Sequence, residues 1–168
     1  MHQGSGVQEY NVIAEIILTD MAATTSFARR FGPFLKTGDV VALDGALGAG
    51  KTALCRALIQ GLGCQEDVPS PTFNLVQIYV PPGDDGMGPL IWHLDLYRLE
   101  SPEDVFELGI EEAFDTAVTL IEWPSKMAPY LPAGYLTLRL DIATDGVTRK
   151  MSLIGGPEWQ RRLKDIMG

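Results

Sequence analysis

Gly45, Gly50, Lys51 and Thr52 follow the spacing G-x-x-x-x-G-K-T inside the stretch GALGAGKTAL, where three glycines fall within six residues. Glycine at such density lets successive backbone N–H groups converge on one anion, and a helix starting at the loop adds the positive end of its dipole. The flanking residues supply that context. DVVALDG, residues 39–45, reads as a short buried strand, and KTALCRALIQGLG reads as an amphipathic helix stopped by Gly61 and Gly63. The chemistry implied is capture of a phosphate chain, with Lys51 reaching the β- and γ-phosphates as a point charge and the Thr52 hydroxyl ligating Mg²⁺. A dinucleotide-binding G-x-G-x-x-G reading of GAGKTAL fails, because Ala53 stands where its third glycine belongs.

Phosphoryl transfer also needs a carboxylate at the end of a neighbouring strand, to hold the metal against the phosphate oxygens or to orient a water. Two acids qualify. Glu122 ends AVTLI, an apolar run that as a buried strand has no other use for a charge. Asp95 lies in WHLDLYR, alternating with His93 and Tyr97 on one strand face. Against these roles stand a solvated strand end for Glu122 and, for Asp95, an ion pair with Arg98 or a helix N-terminus as partner. His93 is expected to be packed and hydrogen bonded rather than a general base, and Trp123 to be an ordinary core or surface aromatic. In VPSPTFNLV, residues 68–76, prolines bracket Ser70 and the Thr72 hydroxyl precedes a strand. That loop suits either a γ-phosphate-sensing switch or a plain strand entry.

The elements that position these residues are legible as well. Residues 11–18 read as a strand, and Asp20 opens a helix whose Phe27, Phe31 and Phe34 recur at helical spacing until Gly32 and Pro33 weaken it. FNLVQIYV and PLIWHLDLYRL read as a hairpin across the turn-rich PPGDDGMG. Ser101, Pro102, Glu103 and Asp104 supply an N-cap, a first-turn proline and first-turn acids, predicting a helix. YLTLRLDIA and VTRKMSLI alternate about Asp145-Gly146, a hairpin signal. PEWQRRLKDIM closes the chain as a helix with Trp159, Leu163 and Ile166 on one face. A single α/β domain is predicted over residues 11–168, with 1–10 as a disordered tail.

The 168 residues, 46% hydrophobic and 21% charged, suit one globular core. No apolar run approaches the length of a membrane span and no signal pattern opens the chain, which predicts a cytoplasmic protein without membrane contact. Cys55 and Cys64 are nine positions apart with no matching histidine cluster, so they are expected to be reduced structural thiols. The net charge of −9 opposes a direct nucleic-acid footprint.

GALGAGKT, SPTFNLV, HLDLYRL, ELGIEE and LIEWP, in this order across residues 45–124, resemble the bacterial TsaE family of tRNA threonylcarbamoyladenosine biosynthesis proteins. The glycine loop alone is shared by many NTPases, whereas SPT, HxDLYR and EWP together are specific. The resemblance implies a P-loop NTPase fold: a mixed, mostly parallel sheet flanked by helices, with a C-terminal antiparallel hairpin. It implies a Mg²⁺-dependent ATPase that supports the turnover of TsaB and TsaD, which attach threonylcarbamoyl to the adenosine beside the tRNA anticodon. Contact with tRNA would then run only through those partners. Carried over by motif, Leu47, Gly48, Ala49, Gly50, Lys51 and Thr52 contact phosphates. Thr52 and Glu122 hold Mg²⁺, Asp95 serves hydrolysis, and the loop of Ser70 and Thr72 acts as a switch. Trp123 lies beside the site, and the turn at Gly146 borders the adenine. Ala46, Ala53 and Ser125 depart from the family's usual acid, hydroxyl residue and acid, at positions outside the main chemistry.

Three rival functions share the loop. A small-molecule kinase needs arginines in a mobile lid, and none is evident among eight arginines. A GTPase needs an N-K-x-D motif, which is missing from the sequence. A module that binds ATP only to present a surface needs the same loop, metal and switch.

Overall fold

Short apolar runs separated by turn residues fold as strands β1 (Asn11–Leu18), β2 (Val40–Gly45), β3 (Val76–Tyr79), β4 (Leu90–Asp95), β5 (Ala117–Glu122), β6 (Leu136–Ile142) and β7 (Arg149–Gly155). The computed structural model describes residues 10–64, 75–82 and 89–167. Among them these strands form one sheet in the order β1-β7-β6-β2-β5-β4-β3. β6, β2, β5 and β4 pair in parallel, and β1, β7 and β3 are joined by antiparallel ladders. All strands except β7 and β3 therefore run the same way. The central strands are covered on both faces, which explains why β5 is buried at every position.

Helices α1 (Met21–Phe31), α2 (Lys51–Gly61), α3 (Ile110–Thr116) and α4 (Pro157–Met167) supply the covering layers. On one face Phe27, Phe31, Leu54, Leu58, Trp159 and Leu163 pack on Val41, Leu43, Val118 and Leu120. On the other, Val105, Ile110 and Met127 pack on Trp92, Leu94 and Ile121. Asp20 caps α1 by accepting the Ala23 N–H at 2.9 Å. Arg162 anchors α4 to the start of β2 through two bonds to the Asp39 carboxylate, at 2.9 and 2.7 Å. Cys55 and Cys64 are both buried thiols, and no helix among the described residues is long and apolar enough to cross a membrane.

Several expectations are modified. Phe34 leaves the α1 stripe for a 3₁₀ turn, Gly32–Phe34, and is 42% exposed, because Gly32 and Pro33 end the helix. The helix expected at Pro102 is 3₁₀ over Pro102–Leu108. Ser101 and Asp104 close a capping box, and Gly109, at φ +83°, separates this segment from α3. β4 ends at Asp95 rather than running through Leu99, yet Leu96 and Leu99 turn into the core. A further 3₁₀ segment, Pro124–Tyr130, has no counterpart in the sequence reading. Of the residues assigned to the tail, Tyr10 is described, its ring 4.8 Å from that of Tyr135.

Candidate functional site

The loop leaving β2 is shaped by its glycines. A Cβ on Gly45 would lie 2.7 Å from the Leu140 carbonyl oxygen, so only glycine lets the chain turn off the sheet there. Gly48 and Gly50 hold φ at +82° and +103°, and a Cβ on either would meet nothing within 4 Å, which leaves open space over the loop. Lys51 begins α2 and folds back. Its Nζ donates to the Gly45 carbonyl and, at 3.1 Å, to that of Ala46, and lies 3.8 Å from the centre of the Trp123 ring. Burial pushes the ammonium below the ordinary lysine value, while the charges of Glu122, Asp44 and Asp95 oppose that shift.

The parallel register sets Asp95, the last residue of β4, directly beside Glu122, the last of β5. Strand alternation puts Ile91, His93 and Asp95 on the same side as Val118, Leu120 and Glu122, facing α2. Glu122 is 2% exposed. Its Oε1 accepts from the Thr52 hydroxyl at 2.8 Å, and its Oε2 lies 2.7 Å from His93 Nε2. Asp95 Oδ1 accepts the Tyr97 N–H at 3.1 Å. Burial, reinforced by the Glu122 charge, raises the Asp95 carboxyl above the ordinary value, against the pull of the Tyr97 N–H, His93 and Lys51. No ion pair among the described residues joins Asp95 to Arg98, which is exposed at the rim.

Gly48, Lys51, Thr52, Asp95, Glu122 and Trp123 line a cavity of about 380 Å³. Trp123, directly after β5, is the one non-glycine residue with positive φ among those described, at +58°, and its ring lies 5.1 Å from that of Tyr97. Across the loop a second cavity of about 320 Å³ is walled by Leu18, Met21, Ala53, Leu140, Val147 and Arg149. The turn between β6 and β7 carries Gly146 at φ +73°. Its Asp145 accepts from the Thr148 hydroxyl and from the Val147 and Thr148 N–H groups, bonds that hold this carboxyl below the ordinary range.

Leu47, Gly48, Ala49, Gly50, Lys51, Thr52, Asp95, Glu122 and Trp123 are thus gathered around one loop, while Gly146 lies in the β6–β7 turn beside Val147, which lines the second cavity. Ser70 and Thr72 lie outside the described residues. The sequence reading missed the partner of one residue and the whole role of another. His93 is packed and hydrogen bonded as expected, but its partner is Glu122. Arg149 donates through Nε to the Ala49 carbonyl at 2.9 Å, through Nη2 to Gly48 at 3.5 Å, and through Nη1 to Gly146 and Val147 at 3.2 and 2.8 Å. The available sign was an arginine in step with Met151 and Leu153 on the apolar face of β7.

A glycine loop feeding a helix from the central parallel strand, its threonine bonded to an acid on the adjacent strand, places the chain among the P-loop NTPase domains. Residues 18–151 match the family model described as Threonylcarbamoyl adenosine biosynthesis protein TsaE, and the chain belongs to that family. The tRNA threonylcarbamoyladenosine biosynthesis protein TsaE of Rickettsia prowazekii is 46% identical over 126 residues, covering 74% of this chain and 84% of the relative. That of Rickettsia bellii is 41% identical over 133 residues, covering 79% and 89%. The Haemophilus influenzae protein of the same name is 36% identical over 143 residues, covering 82% and 86%. A crystal structure of YdiB from Bacillus subtilis is similar with a TM-score of 0.72 at 25% identity, over 92% of this chain and 93% of that one.

Proposed function

We propose that this protein is the ATP-binding and ATP-hydrolysing subunit of tRNA threonylcarbamoyladenosine modification, using Mg²⁺ and acting with TsaB and TsaD in the cytoplasm. The observation that carries the reading is the Thr52–Glu122 bond beside an open glycine loop. Thr52 and Glu122 are hard oxygen donors already in contact, the donor type Mg²⁺ takes. The cavity also sets two carboxylates, Asp95 and Glu122, against Lys51 and the rim arginine Arg98, so a phosphate chain entering it would need a further cation. Bound there, Mg²⁺ would neutralise charge on the phosphate oxygens.

The chain's own residues supply the rest. The N–H groups of the loop orient the phosphates, and Lys51 exchanges its carbonyl partners and the Trp123 face for a phosphate oxygen. Asp95, half-buried beside Glu122, would orient the attacking water. The apolar walls of the second cavity, Leu18, Met21 and Val147, fit a planar base bordered by the Gly146 turn. The names carried by the relatives give no support to the kinase alternative. A net charge of −9 favours contact with tRNA through the partners.

The testing experiment counts threonylcarbamoyladenosine formed per TsaB–TsaD complex from threonylcarbamoyl adenylate, with and without this protein and ATP. Repeated turnover that requires both, and that Lys51→Ala cannot support, is expected. Equal turnover without the protein would overturn the role.

A further inference from the structure

Both carboxylate oxygens of Glu122 are engaged, one by Thr52 and the other by His93. His93 is fully buried, and its Nδ1 has no hydrogen-bond partner among the described residues. This combination decides where the ring proton sits. Oε2 only accepts, so Nε2 carries the hydrogen.

We propose that His93 is a positioning residue for Glu122. Donating from Nε2 to Oε2, it fixes the plane of the carboxylate, so that Oε1 stays against Thr52 at the floor of the phosphate cavity. The support comes from the sheet. His93 lies two residues before Asp95 on the same face of β4, and the parallel register brings that face against Glu122. Cys55 is also close to both, with Sγ, a His93 ring nitrogen and a Glu122 oxygen all within 4.8 Å of one another. A buried thiol is too weak a donor to replace the imidazole. His93 therefore acts as an outer support, of the kind whose removal elsewhere costs roughly 10–100-fold in metal affinity.

The inference rests on the Thr52–Glu122 cation site, and its test separates the two ideas. Binding of a fluorescent ATP analogue is titrated with Mg²⁺, and repeated in EDTA, for wild type, His93→Leu, His93→Gln and Glu122→Gln. His93→Leu should need roughly tenfold more Mg²⁺ or beyond, with metal-free binding unchanged. His93→Gln, whose amide N–H reaches toward Oε2, should recover most of that loss. A Mg²⁺-dependent wild type with His93→Leu titrating identically overturns the positioning role alone. Binding that ignores Mg²⁺ in wild type and Glu122→Gln alike overturns the cation site, and the positioning role with it. Should His93→Leu fail to fold, ¹⁵N shifts of the wild-type imidazole decide: a proton on Nε2 supports the proposal, and one on Nδ1 alone overturns it.

Discussion

The Lys51 ammonium sits 3.8 Å from the centre of the Trp123 ring, held there by the Gly45 and Ala46 carbonyls. Trp123 takes its place with left-handed backbone at φ +58° and ψ +55°, a conformation costing about 1–2 kcal/mol for a residue bearing a Cβ. Strain of this kind persists where the surroundings enforce it, commonly at functional sites. Two carbonyls and the ring face take all three donors of the ammonium, so a phosphate oxygen binding Lys51 would displace one of them and alter the charge held over the ring.

Nucleotide binding should therefore change tryptophan emission through Trp123. Trp92 and Trp159, at 7% and 3% exposure, are shielded in the core. A fluorescence titration should show the change in wild type and lose it in Trp123→Phe with binding retained. Persistence of the full change in that variant would place the response elsewhere.

Lys51 and Glu122 should fail differently. Lys51→Ala removes the cation from the phosphate loop and should abolish nucleotide binding. Glu122→Ala should retain ATP and lose Mg²⁺-dependent hydrolysis. Calorimetry paired with phosphate release checks both, and wild-type hydrolysis by Glu122→Ala would sink the metal role.

Asp95 makes a prediction about pH. Burial and the Glu122 charge hold its folded-state value above the ordinary 3.8, so ionising it opposes folding. The penalty is absent while folded and unfolded chains are both protonated. It grows as pH rises from about 3.8 through the folded-state value, and persists in full above that. Asn keeps the acceptor for the Tyr97 N–H and removes the penalty. Asp95→Asn should thus be at least as heat-stable as wild type at pH 7, with any advantage gone in strong acid, while hydrolysis is lost. A marked fall in Tm at pH 7 would make Asp95 a structural residue instead.

Arg149 fastens the phosphate loop to the Gly146 turn by its bonds to both. Its pull on the Gly48 and Ala49 carbonyls also polarises the N–H groups of the same peptides, Ala49 and Gly50. Replacing it by Met should weaken binding of inorganic triphosphate roughly tenfold, about the worth of one charge-assisted hydrogen bond. Lys should recover only part, for want of the planar fork. Unaltered triphosphate affinity in Arg149→Met would show that the loop holds its shape unaided.

The parts of this site legible in the sequence are those written within a few residues. Glycine spacing, lysine and threonine mark the loop, and Glu122 stands out because nothing else in its strand is charged. Asp95 followed from alternation with His93 and Tyr97. The partnerships were hidden because they depend on register: His93 meets Glu122 across 29 positions, and Arg149 meets Ala49 across 100. The 3₁₀ segment at Pro102 carries ordinary helix-start signals and that at Pro124 only its first-position proline, and the choice between i+3 and i+4 bonding is settled by packing and by Gly109 and Pro129. Nothing about a tryptophan announces left-handed backbone, so the strain at Trp123 is visible only once the fold surrounds it.

The most direct measurement is steady-state ATP hydrolysis by this protein alone and with purified TsaB and TsaD, with Lys51→Ala as the blank. A low rate alone that rises with the partners and vanishes in Lys51→Ala is the predicted result. A rate indifferent to the partners, and raised instead by a small-molecule phosphate acceptor, would contradict the account.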